Sequence, residues 1–116
     1  MAEAGYGRVV CISSMAAVNG SINHCHYAAA KAGIMGFVRA VAKDVGRSGV
    51  TINALAPGAI ETPMAEAIAP EVWAQLADTP VGRAGRPEDI GYAVRYLTST
   101  ESAFLTGSFI PLHGGV

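Results

Sequence analysis

Tyr27 and Lys31, in the run "HYAAAKAG" from His26 to Gly33, are the residues of this sequence best suited to moving a proton. They stand four positions apart among alanines and glycines, so on a helix they project from one face, one turn apart. A phenol with an ordinary pKa of about 10 is a poor base near neutral pH, but a cation at close range favours the phenolate. The pair therefore suits acid–base work on an alcohol/carbonyl pair. Ser14 is a third candidate. It ends a β-branched run, parallel sheets present catalytic groups at the carboxyl ends of their strands, and its hydroxyl can hold a substrate oxygen beside the phenol. The competing reading is a surface helix pair contributing a few tenths of a kcal/mol. Four tyrosines and two lysines in 116 positions produce this spacing by chance roughly 0.07 times. Spacing alone is suggestive, and the context has to decide.

The elements that must position these groups are readable from periodicity. "GRVVCIS", Gly7 to Ser13, predicts a fully buried parallel strand. The polar run "SMAAVNGSINH" predicts a loop. A helix follows over about 27–45, with Ile34, Val38, Val41 and Val45 as its core stripe and Gly46 as its C-terminal glycine. "GVTINALAPG" reads as a second buried strand ended by a Pro-Gly turn. Between Thr62 and Ala77 a loop with a short helix is expected, Pro70 opening the helix. "RPEDIGYAVRYLTS" predicts a helix with Pro87 first, Glu88 and Asp89 in its positive first turn, and Ile90, Val94 and Leu97 inward. "GSFIPL" is a last strand, and Pro111 inside it predicts a sheet edge. Strands alternating with helices imply a parallel α/β sheet with right-handed crossovers. Three strands make about half of a doubly wound sheet of two βαβαβ units. The expected architecture is thus the C-terminal half of a Rossmann-type sheet, a single partial domain over 1–116.

Composition narrows the function classes. The chain has 51% hydrophobic and 15% charged residues, which excludes a disordered segment. A net charge of −1 without a basic stripe argues against nucleic-acid binding. No run approaches the apolar length of a membrane span, and "MAEAGYGR" has no signal-peptide character. Two cysteines, Cys11 and Cys25, predict reduced thiols and a cytoplasmic setting. "HCH" at His24 to His26 falls short of a tetrahedral ligand set, so no metal site is expected.

The run "ISSMAAVNGSINHCHYAAAKAG" resembles the active-site segment of the short-chain dehydrogenase/reductase family, in which a serine stands thirteen residues before the tyrosine of a Tyr-x-x-x-Lys motif. Ser14 and Tyr27 match. "INALAPGAIETPM" resembles the family's next strand and Pro-Gly turn, and "GRPEDIGYAVRYLTS" and "FLTGSFIPLHGG" resemble its closing helix and strand. The resemblance runs from about Gly7 to Gly115. It implies an NAD- or NADP-dependent oxidoreductase acting on a small-molecule alcohol/carbonyl pair. Tyr27 is then the acid in reduction and the base in oxidation. Lys31 lowers the tyrosine's pKa and bonds the nicotinamide ribose, and Ser14 positions the carbonyl. Pro57, Gly58, Ile60 and Thr62 lie against the nicotinamide. Among subfamilies the segments look closest to 3-oxoacyl-acyl carrier protein reductases, which implies 3-oxoacyl-thioester reduction.

Two departures accompany the resemblance. The family's glycine-rich fingerprint, Thr-Gly-x-x-x-Gly-x-Gly, does not occur in these residues, nor does the residue that chooses NAD or NADP. His113 stands where the family usually has aspartate before Gly-Gly. The small face of Ala28, Ala29, Ala32, Gly33 and Gly36 resembles the helix that packs on a partner subunit, so a homo-oligomer, or aggregation through an open sheet edge, is expected. The alternatives to an enzyme are a catalytically silent association module and one half of a split enzyme.

Overall fold

A computed structural model describes residues 1–116. Strands β1 (Gly7–Ile12), β2 (Val50–Pro57) and β3 (Phe109–Leu112) form one parallel sheet in the order β1-β2-β3. Gly7 stands opposite Val50, and Ala54 opposite Phe109. The unbroken burial of β2 has its reason in this order: with a strand on each side and layers on both faces, Val50 to Ala56 are all buried, the polar Thr51 and Asn53 included.

β1 departs from expectation. It is mostly half-exposed, and Ile12 is 45% exposed, because only β2 lies beside it. β3 forms the opposite edge, as Pro111 requires, and that proline is exposed there.

Helix α2 (Cys25–Val45) crosses one face, beginning two residues before Tyr27. Val38 and Ala42 are buried against Ile52 and Ala54, with Val9, Cys11, Ile34, Val41 and Phe109 packed around them. Ala42, rather than Val45, completes the buried stripe. Full burial of a side chain such as Val38 contributes about 1.5–3 kcal/mol. The α-helix ends at Val45 with Gly46 next, as the sequence suggests, but the left-handed reversal does not fall at Gly46. Gly46 keeps a right-handed φ of −57°, the chain tightens into a 3-10 turn (Gly46–Ser48), and Gly49, at φ 72°, makes the reversal. A β-carbon at Gly49 would collide with the carbonyl oxygen of Gly5, so the strand entrance admits no side chain there.

The opposite face carries the alternate residues of β1 and β2. Arg8 Nε donates to Ser99 O at 3.0 Å. Asn53 is 1% exposed, and its amide donates to Leu105 O at 2.8 Å while its Oδ1 accepts from Ser108 N. Helix α4 (Pro87–Leu97) and the segment after it therefore cover this face, making three layers with the sheet in the middle. The expected loop after β1 holds a single helical turn, α1 (Ala16–Asn19). The segment from Thr62 to Ala77 forms a 3-10 turn (Pro63–Ala67) and α3 (Pro70–Ala77), with Pro70 first.

Candidate active site

The hydrogen bonds of β1 continue past its last residue. Ser13 N donates to Leu55 O at 2.7 Å and Met15 N to Pro57 O at 3.1 Å, so Ser14 sits between two bonds to the carboxyl end of β2. Its Oγ accepts from Ala16 N at 3.1 Å, a local turn that opens α1. As that bond uses the oxygen's lone pair, the Ser14 O–H remains free to donate to another oxygen.

Helix α2 is fixed to this strand end through Lys31. Ser13, 3% exposed, donates from Oγ to the Lys31 carbonyl at 2.8 Å, and Lys31 Nζ donates to the Ile12 carbonyl at 2.9 Å. These two bonds, in opposite directions, join adjacent strand residues to a single helix residue. Tyr27 lies one turn before, 41% exposed, with Lys31 Nζ 5.7 Å from the centre of its ring. At that distance the ammonium is within cation–π range. It has three hydrogens, one spent on Ile12, and two remain for a ligand.

The residues expected at the nicotinamide divide into two pairs. Pro57 and Gly58 lie at the same sheet edge as Ser14, through the Met15–Pro57 bond, and Gly58 N donates to Leu112 O at 2.9 Å. A β-carbon on Gly58 would come within 2.8 Å of His113 Cβ, so the glycine is what lets the end of β3 close on β2. Ile60 is drawn away into a bridge with Gly85, whose missing side chain leaves room for its δ-methyl. Thr62 precedes the 3-10 turn and borders a cavity of about 560 Å³ with Glu61, Glu66 and Trp73. A second cavity, about 510 Å³, lies among Ile60, Arg83, Asp89, Tyr92 and His113. Neither is lined by Ser14, Tyr27 or Lys31.

His24 and His26 have ring centres 6.2 Å apart, and His24 Nδ1 bonds Ser21 Oγ at 3.2 Å. Nowhere do three or more His, Cys, Asp or Glu side chains gather in a group that could hold a metal ion. No helix is long and apolar enough to cross a membrane.

Two arrangements had no place in the sequence reading. The Ser13–Lys31 link carries no sequence signal, since it joins positions 18 apart on different elements. The second is an ion pair. Arg83 donates from both terminal nitrogens to Asp89, at 2.7 and 3.1 Å, while Asp89 also accepts from Arg86 N at 2.8 Å. The hydrogen bond from Arg83, then that from the Arg86 amide, hold the Asp89 carboxyl at about 2, below its ordinary 3.8. An acid at the third position of a helix beginning Arg-Pro was the available signal.

In an open parallel α/β sheet the carboxyl ends of the strands are where ligands bind, and Ser14 and Lys31 lie at that end of β1. Comparison with known proteins identifies the family. The family described as "Enoyl-(Acyl carrier protein) reductase" matches residues 1–116. The sequence is 44% identical to nodulation protein G of Azospirillum brasilense, over 100% of this chain and 48% of that protein. It is 42% identical to a 3-oxoacyl-acyl-carrier-protein reductase of Vibrio cholerae (95% and 46%) and 43% identical to an acetoacetyl-CoA reductase of Cupriavidus necator (100% and 48%). A crystal structure of a 3-oxoacyl-acyl-carrier-protein reductase from Brucella melitensis superposes with a TM-score of 0.93 at 43% identity, covering 100% of this chain and 44% of that one. Another from the same organism, with bound NAD, gives 0.88 at 42% (100% and 43%). The chain belongs to the short-chain dehydrogenase/reductase family. It spans about half the length of the curated relatives it matches.

Proposed function

We propose that these residues carry the acid–base half of an NAD(P)-dependent carbonyl reductase site, with a 3-oxoacyl thioester as the substrate class. The reading is supported by the Lys31 link, which ties α2 to the strand end just before Ser14, one turn after an exposed Tyr27. The printed names of the relatives, reductases of 3-oxoacyl and acetoacetyl thioesters, support the substrate class. In reduction, Ser14 Oγ donates a hydrogen bond to the carbonyl oxygen. Tyr27 Oη gives its proton to that oxygen, and Lys31 balances the charge left on the phenolate. A reduced nicotinamide, when bound, would supply the hydride for the carbonyl. The two free hydrogens of Lys31 suit ribose hydroxyls, and Pro57 and Gly58 offer a surface for the nicotinamide ring. The residues present thus fit the reactive end of the cofactor. The glycine turn and helix N-terminus that hold a pyrophosphate are not among them.

The test joins this chain to the N-terminal segment of the Vibrio cholerae relative. The fusion is expected to reduce a 3-oxoacyl thioester with NADH or NADPH, while calorimetric titration of the chain alone shows no tight cofactor binding. A folded fusion without turnover overturns the reading, and micromolar binding by the chain alone overturns the division of labour.

A second reading, an association module, has one observation in its favour. The outer edge of β1 is unpaired, and the accessible surface is 7358 Å², against about 5900 Å² for a compact chain of this mass. Unpaired strand edges recruit other chains. Light scattering at micromolar concentration is expected to show dimers or larger species, and a stable monomer removes this reading. A cytoplasmic setting goes with the enzymatic reading, and the free thiols of Cys11 and Cys25 fit it.

A further inference from the structure

We infer that Ser13, the neighbour of the serine that faces the substrate, is a positioning residue for the proton-transferring pair. The inference rests on the site proposed above. Its argument is geometric. Ser13 is 3% exposed at the end of β1, and its hydroxyl is aimed at α2, where it donates to Lys31 O at 2.8 Å. The same lysine returns a bond from Nζ to Ile12 O at 2.9 Å. Without the first bond, Lys31 is hydrogen-bonded to the strand only through the end of a long, flexible side chain, and the packing of α2 on the sheet, centred on Val38 and Ala42, lies about two to three turns further along the helix. With it, the Lys31 backbone is fixed. The ammonium then has one settled direction, and Tyr27, one turn earlier on a rigid helix, is held in register with Ser14. Buried hydroxyls that bond across elements specify one arrangement because the alternative leaves a polar group unpaired. Ser13 touches neither substrate nor cofactor. It acts through Lys31.

Lys31 and Lys43 are the two lysines of the chain, and Lys43 is an exposed residue of the same helix, which supplies an internal reference. The experiment is competitive acetylation of the whole 116-residue chain with acetic anhydride, the two lysines being quantified by mass spectrometry. Ser13→Ala is expected to raise the Lys31 rate relative to Lys43 about two- to tenfold, the range that loss of one net hydrogen bond implies. Ser13→Thr keeps the donor and is expected to hold the wild-type ratio. A merely structural serine lowers the unfolding midpoint and moves both lysines together. An unchanged ratio in a folded Ser13→Ala chain overturns the proposal, and so does a Ser13→Thr chain that labels like Ser13→Ala. If circular dichroism shows Ser13→Ala unfolded, Ser13→Cys, similar in shape and a weak donor, replaces it with the same expected rise. No cofactor enters the measurement. A fusion that fails to turn over therefore counts against the proposed activity and leaves this result standing.

Discussion

Lys31, at the junction of β1 and α2, spends one hydrogen on Ile12 O. Arg83, at the start of α4, spends three, two on Asp89 and one on Ala84 O. Both are cations near the carboxyl edge of the sheet, Lys31 half-buried and Arg83 exposed. What differs is the capacity left over. Arg83 is met by a full countercharge in bidentate geometry, so its field is cancelled locally and its role is to brace the turn before α4. Lys31 is held by the Ile12 carbonyl and the Ser13 hydroxyl, with no acid paired to it, so two of its hydrogens are left unspent. The lesson is that the way an ionisable group is anchored tells what it is for. A partner of opposite charge marks Arg83 as a structural cation, and the neutral anchor of Lys31 fits the role proposed for it above.

The sharpest way to break this contrast is to remove one atom from each region. Tyr27→Phe keeps the ring over Lys31 and deletes the transferable proton. In the fusion with a cofactor-holding segment it is expected to lower kcat by about 10²–10⁴-fold, with the unfolding midpoint unchanged. Asp89→Asn in the same fusion is expected to leave kcat within about threefold and to lower the midpoint slightly instead, in keeping with an exposed pair screened by solvent. Comparable losses of turnover from both variants would erase the distinction.

How far this could be read in advance follows the same division. Tyr27 and Lys31 were legible because a fixed spacing on one helix is a local property, and Ser14 because β1 announces its end by composition. β2 and β3 were legible as well, the one through the run "GVTINALAPG" with its closing Pro-Gly turn and the other through Pro111 at a sheet edge. What joins the elements was not. The bond from Ser13 to Lys31 depends on how α2 lies across the sheet, and nothing in the spelling of either segment records it. The helix end at Val45 was legible, but the left-handed reversal after it was misplaced for a related reason. Gly46 and Gly49 are both suitable terminators by type, and the choice fell to Gly49 because the chain there passes against Gly5, a contact 44 positions distant. The half-exposure of β1 is likewise a matter of neighbours, since the same sequence would be buried with a strand on its other side.

The smallest expected effect sharpens the comparison through pH. Asp89 has its carboxyl at about 2 in the folded chain, first because Arg83 donates to it and next because the Arg86 amide does. Its unfolded value is the ordinary 3.8. A folded value below the unfolded one means that the unfolded chain takes up the proton more readily, so the stabilisation is complete above about pH 4 and is lost as pH falls through about 2. Both side chains are well exposed, at 43% and 30%, so solvent and salt screen the pair. Thermal unfolding of the chain and of Asp89→Asn, followed from pH 7 to pH 2, isolates this group from the other carboxylates. The gap between the two midpoints is expected to be constant from pH 7 to about pH 4, to close towards pH 2, and to narrow at pH 7 in molar salt. A gap that widens on acidification, or one indifferent to both acid and salt, would show that Asp89 acts by shape rather than charge. The brace at α4 would then no longer contrast with the neutral anchor at Lys31.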